Sequence, residues 1–232
     1  MKILIVGPSW VGDAVMAQSL YKMIKGSNPL SKIDVLAPEW ALGVLNRMDE
    51  IDDLIVLPFG HGDIRIRERI DFGKSLRDRS YDQAIILTNS LKSSLIPYVA
   101  RIPKRTGWLG EMRYGFINDV RKVNQEKHKL LIEKFSCLSV KPLVGDSNEI
   151  PWPSLSIDLP NLSKLLSKFN FNEVGQSIAI CPGAEFGPSK RWPTKYYAEI
   201  VRYYLTNNWQ VFILGSKNDL SLIHISEPTR PY

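Results

Sequence analysis

Short apolar runs, each one strand long and each followed by a stretch of helical periodicity, constrain this chain more than any other feature. KILIVG (residues 2–7), KIDVLA (32–37), DLIVL (53–57) and QAIILT (83–88) are such runs. They lack the apolar–polar alternation of a half-solvated sheet, so they predict strands buried on both faces, as in a parallel sheet. Between them, helices are expected over 13–25, 39–46, 64–79 and 90–100. In the first, Val15, Met16, Leu20, Met23 and Ile24 form an apolar stripe. Strand–helix alternation of this kind predicts an α/β fold with a doubly wound parallel sheet. Right-handed crossovers would gather the loops 7–13, 58–63 and 88–94 at one sheet edge, where such folds bind ligands.

Beyond residue 100 the pattern weakens. Residues 101–123 mix Gly, aromatic and Arg residues without clear periodicity and are expected to form an ordered loop. A helix is expected over 127–140. Residues 141–161 contain Pro142, Pro151, Pro153 and Pro160, which bar a long helix and suit a linker. The sequence therefore predicts a first domain over 1–150 and a second over 151–219. The second holds a helix (162–169), a strand (177–181), a helix (194–206) and a strand (210–214). Two strands cannot cover a doubly wound sheet, so this second domain is expected to be incomplete. Residues 220–232 do not continue the pattern and are expected to be a tail foreign to the fold.

Composition narrows the function. The net charge of +6 and pI near 9.2 favour an anionic partner, yet no dense Lys/Arg block or nucleic-acid-binding signature is present. No nucleic-acid partner is expected. Cys137 and Cys181 lie in dissimilar settings, and His61, His128 and His224 form no cluster. No disulfide framework, metal site or cofactor is therefore expected. No run reaches the roughly 18 apolar residues of a membrane span, and the cytoplasm is the default compartment.

Two loops carry candidate chemistry. ICPGAEFGPSKRWP (180–193) leads from a strand through glycines into a helix, with Lys190 and Arg191 beside it. Backbone N–H groups and cations so placed can hold an anion, and the same residues also suit an ordinary surface loop. GPSWVG (7–12) lacks both the dinucleotide fingerprint and the P-loop ending. It places Asp13 at a strand-to-helix corner, where a carboxylate can cap the helix or act as a general base.

GPSWVGD (7–13), TNSLKS (88–93), RTGW (105–108) with GEMRYG (110–115), and CPGAEFGPSKRWP (181–193) together resemble the lipopolysaccharide heptosyltransferase II family, over residues 1 to about 219. The resemblance implies a GT-B architecture of two Rossmann-like domains, the N-terminal one holding the acceptor and the C-terminal one ADP-heptose. It implies inverting, metal-independent transfer of L-glycero-D-manno-heptose to the first heptose of the lipopolysaccharide inner core. Asp13 would be the base and Lys190 the cation at the departing diphosphate. Gly183, Glu185, Ser189 and Arg191 would bind the donor. Ser9, Trp10, Gly12, Asn89, Lys92, Arg105, Arg113 and Tyr114 would face a phosphorylated heptosyl-Kdo2-lipid A acceptor, with the protein peripheral on the cytoplasmic face of the inner membrane. The family's later Asn-Asp-Ser-Gly stretch and its His are absent, so these 232 residues alone are expected to have little or no activity. Heptosyltransferase I, another core heptosyltransferase, or a non-catalytic glycolipid-binding domain are the competing possibilities.

Overall fold

The structure is a computed structural model. It describes residues 1–60, 62–122, 124, 126, 128–139, 150–169, 171, 175–184, 188–216 and 219. Two compact units divide the chain, Met1–Asp158 and Leu159–Tyr232.

The first unit contains β1 (Lys2–Val6), α1 (Val11–Ser27), β2 (Lys32–Ala37), α2 (Leu42–Leu45), β3 (Asp53–Val56), α3 (Ile66–Ser75) and β4 (Gln83–Ile86). After these come α4 (Leu91–Val99), β5 (Lys104–Trp108), β6 (Asp119–Arg121) and α5 (Leu131–Ser136). The strands form one sheet in the order β3-β2-β1-β4-β5-β6, every pair parallel. Strand alternation sorts the core into two layers. Ile3, Ile5, Ile33, Val35 and Ile85 point to one face and pack with Ala14, Ala17 and Leu20 of α1. Leu4, Val6, Leu36, Ala84 and Ile86 point to the other and pack with Leu76 and Ile96. The doubly wound α/β sheet predicted from the apolar runs is thus present.

Three details differ from expectation. The stretch 101–123 is not one loop, because it carries the strands β5 and β6. Their sequences, KRTGW and DVR, are too polar to read as buried strands. Fixed partners hold them in place: Thr106 receives the Gln83 amide at 2.7 Å and donates to Asp119 at 2.9 Å. The α1 face on the sheet keeps Leu20 and Ile24 of the expected stripe, with Met16 at its margin, and adds Tyr21 and the small Ala14 and Ala17, which let helix and sheet approach closely, in place of Val15 and Met23. Residues 151–158 belong with the first unit. Gln18 receives the Ser154 N–H at 2.8 Å and donates to its carbonyl at 2.8 Å, and Ser156 donates to the Arg47 carbonyl. The division after Asp158 therefore falls later than the boundary expected at 150.

The second unit contains α6 (Leu159–Lys168), β7 (Ser177–Ile180), α7 (Thr194–Thr206) and β8 (Gln210–Ile213). Its strands pair in parallel, Ser177 to Gln210 through Ile180 to Ile213. Among the described residues no helix is long and apolar enough to cross a membrane.

Candidate active site

The strand order reverses direction between β1 and β4: the chain winds outward through β2 and β3 and then returns to wind the other way. Loops leaving these two neighbours diverge at their carboxyl ends and open a crevice, the usual ligand site of such sheets. A cleft of about 910 Å³ lies there, within the size range of small-molecule sites. Ser9, Trp10 and Asp13 enter it from the β1 side, and Asn89 and Lys92 from the β4 side. The first unit thus brings these five predicted residues together.

Asp13 is the third residue of α1, and the N-cap is Trp10, whose side chain makes no capping bond. The carboxylate is therefore not the helix cap. Burial raises its pKa above the ordinary carboxylate value. Among the described residues Asp13 is the one acid lining the cleft, against Arg69, Lys92, Arg121, Lys122 and Lys134. Two of these cations are committed. Arg121 pairs with Asp119 at 2.9 Å. Arg69 donates to the Ile64 and Asp63 carbonyls at 2.8 and 2.9 Å and lies over the Phe59 ring at 4.3 Å. Lys92, Lys122 and Lys134 supply the remaining positive charge. Trp40, whose indole N–H donates to the Ser9 carbonyl at 2.9 Å, and Trp108 complete an aromatic wall.

Four predicted acceptor residues fall outside this lining. Arg113 is wholly buried. It donates to the Thr88 carbonyl at 2.7 Å, to the Trp108 carbonyl, and to Asn89 Oδ1 at 3.4 Å. It supports the cleft wall instead of facing a ligand. Arg105 lies at the opposite sheet edge, its donors taken by the carbonyls of Phe116, Ile102 and Gly115. Tyr114 is 70% exposed, on the loop between β5 and β6. Gly12 is exposed in the first turn of α1. Lys122, Lys134, Arg69, Trp40 and Trp108 were missed by sequence reasoning. The signal for Lys122 was topological: it follows a strand that polar composition concealed.

In the second unit, Gly183, Ser189, Lys190 and Arg191 lie between β7 and α7, at the carboxyl end of a parallel strand. Ser189 and Lys190 are exposed on a one-turn helix, and Arg191 donates to the Ala184 carbonyl at 3.2 Å. The Asp219 carboxylate abuts Gly183 so closely that a Cβ there would collide with it. Asp219 accepts from the Ser216 N–H and hydroxyl at 2.9 and 2.7 Å, which lower its pKa, with a smaller contribution from Arg191. Glu185 lies outside the described residues. Among the described residues no group of three His, Cys, Asp or Glu could hold a metal ion.

Comparison with known proteins accords with this geometry. Residues 69–227 match the model of glycosyltransferase family 9 (heptosyltransferase). Lipopolysaccharide heptosyltransferase 2 of Escherichia coli K12 is 44% identical over 224 residues, covering 94% of this chain and 64% of the relative. Lipooligosaccharide heptosyltransferase 2 of Haemophilus influenzae is 41% identical over 226 residues, covering 94% of this chain and 65% of the relative. The chain thus spans less than two thirds of the length of these curated relatives. The solved structure of E. coli ADP-heptose LPS heptosyltransferase II superposes with a TM-score of 0.88 at 40% identity, covering 99% of this chain and 70% of that one. The fold is of the GT-B type those structures share, and the chain belongs to glycosyltransferase family 9, the heptosyltransferases.

Proposed function

We propose that the first unit is the acceptor-binding part of a lipopolysaccharide heptosyltransferase, and that Asp13 is its general base. The observation that carries this is a partly desolvated carboxylate at the switch point of a doubly wound sheet, in a cleft whose other charged residues, among those described, are all cations. A base of raised pKa is better matched to deprotonating a hydroxyl near neutral pH than an ordinary aspartate. Lys92, Lys122 and Lys134 suit an anionic saccharide acceptor such as heptosyl-Kdo2-lipid A. Trp10 and Trp40 offer flat apolar faces to its sugar rings.

The donor is ADP-heptose and the second unit its holder. The E. coli structure whose name contains ADP-heptose is the 40%-identical relative. In the transfer, the acceptor oxygen attacks the anomeric carbon of L-glycero-D-manno-heptose as Asp13 takes its proton. The bond from that carbon to the β-phosphate oxygen breaks, its electron pair leaves on ADP, and the configuration inverts. Lys190 and Arg191 neutralise the departing diphosphate, Lys as a point charge and Arg as a fork. Gly183 and Ser189 line the nucleotide-sugar side. No metal is required by this scheme. The protein works at the cytoplasmic face of the inner membrane, where the acceptor lipid is presented.

Heptose transfer from ADP-heptose tests the assignment. The donor-side unit shows only a two-stranded sheet among its described residues, so the 232-residue chain alone should transfer little or none. Residues 1–219, joined in frame to the part of the E. coli relative that this chain does not span, should transfer heptose. No transfer by the chimera would contradict the assignment, and a rate from the 232 residues equal to that of the intact relative would contradict the inactivity expected of this chain alone.

A further inference from the structure

Arg105, expected at the acceptor cleft, lies in a second groove at the other edge of the sheet, formed by the ends of α3 and α4. Ile70, Lys74, Arg77, Tyr98, Val99, Arg101 and Arg105 line about 540 Å³ there. Four of these seven residues are cationic and none is acidic. Their charges are also poorly compensated. Arg105 spends its donors on three neutral carbonyls, and its guanidinium lies 5.4 Å from the centre of the Tyr98 ring. Arg77 donates from Nε to the Val99 carbonyl at 3.0 Å. Among the described residues only Lys74 of the four meets a carboxylate, Asp71 at 3.0 Å, with both side chains more than half exposed, a pair of little energetic weight. Arg101 is exposed with a left-handed backbone, φ 58, a conformation that costs a non-glycine residue free energy. Three guanidinium groups and an ammonium crowded into one groove repel one another unless an anion shares it. Guanidinium groups match phosphoryl oxygens in geometry as well as charge.

We propose that this rear groove binds a phosphoryl group, separately from the acceptor cleft. The transfer scheme does not use it, and it stands whether or not that scheme holds. The phosphoryl group belongs either to a free phosphorylated solute or to an anionic lipid headgroup.

Titration of the 232-residue chain with inorganic phosphate, followed by amide shifts in nuclear magnetic resonance, tests the first source. Sedimentation with phosphatidylglycerol-rich vesicles, against pure phosphatidylcholine vesicles, tests the second. The amides of Val99, Arg101 and Ile102 should shift saturably with phosphate if the ligand is free. Selective sedimentation with the anionic vesicles should appear if it is a headgroup. In either case Lys74→Ala with Arg101→Ala should weaken binding at least about tenfold, since a charge-assisted hydrogen bond is lost at each site. Arg101→Lys should retain most of it, and Lys164→Ala, at an exposed position of α6 outside the groove, should leave it unchanged. Thermal melts of each variant separate binding from folding. Absence of both phosphate shifts and selective sedimentation would overturn the proposal. So would binding that the Lys74/Arg101 variant keeps while its melting temperature falls, which would make these cations simple partners of the helix ends.

Discussion

The Arg113 guanidinium donates to the Thr88 carbonyl at 2.7 Å and, with its other arm, to the Trp108 carbonyl. It therefore ties the loop after β4 to the end of β5, and with it the cleft wall that carries Asn89 and Lys92. Nearby, Glu111 accepts from the Leu91 N–H at 2.8 Å, so its carboxylate sits on the N-terminus of α4. The GEMRYG stretch thus acts on the cleft from behind.

Arg113→Met keeps the length of the side chain and removes its donors. The Thr88 and Trp108 carbonyls then lose these donors in a part-buried setting, and an acceptor left unsatisfied there costs about 1–3 kcal/mol. Urea unfolding should show a loss of about 2–4 kcal/mol with little change in slope. A loss below about 0.5 kcal/mol, the ordinary range of surface substitutions, would contradict the role given to this arginine.

Glu111→Ala removes the carboxylate that serves the α4 N-terminus. The loss of such a cap costs about 1 kcal/mol, and its charge–dipole part is screened by salt. The variant should melt lower than wild type, with the gap narrowing as salt rises. Equal melting temperatures at low salt would show that Glu111 does not cap α4.

At Gly73, two effects oppose each other. Alanine is favoured over glycine in a helix by about 1 kcal/mol. A Cβ there, however, would lie 2.9 Å from both the Ile96 carbonyl oxygen and Val99 Cβ, where α3 packs on α4. Overpacking of this kind costs about 1–3 kcal/mol, and a backbone carbonyl cannot rotate away. Gly73→Ala should therefore destabilise the protein in thermal or urea unfolding. A stabilised variant would mean that the two helices can separate freely.

Burial lifts the Asp13 pKa above its unfolded value, so the native state holds this proton more tightly than the unfolded chain. The contribution of this group to stability is complete below the unfolded carboxylate pKa and is lost as pH rises through the raised folded value. Asp13→Asn removes a charge that burial disfavours, so at neutral pH the variant should be at least as stable as wild type, and relatively less so in acid. A loss near 1 kcal/mol at pH 7, the usual cost of a missing cap, would instead make Asp13 a helix-capping residue.

The central strands β1 to β4 could be read from the sequence because apolar runs buried on both faces have few other uses. Gly7, Ser9 and Asp13 could be placed because they follow such a run directly. β5 and β6 could not: their stability comes from Thr106, Gln83, Asp119 and Arg105 meeting partners far away in sequence, which no local pattern encodes. That omission hid Lys122 and Lys134. It also misplaced Arg105 and Arg113, whose charge suggested a ligand while their partners are carbonyls. Alanine was undervalued for a similar reason, since Ala14 and Ala17 matter through the close helix–sheet approach they permit.

The central claim, that Asp13 takes the acceptor proton, is tested most directly by kcat and KM for heptose transfer in the chimera with and without Asp13→Asn. We predict a fall in kcat of at least about a hundredfold with KM for both substrates little changed, as when a general base is removed. Retention of kcat within about threefold, or a loss confined to KM, would contradict the claim.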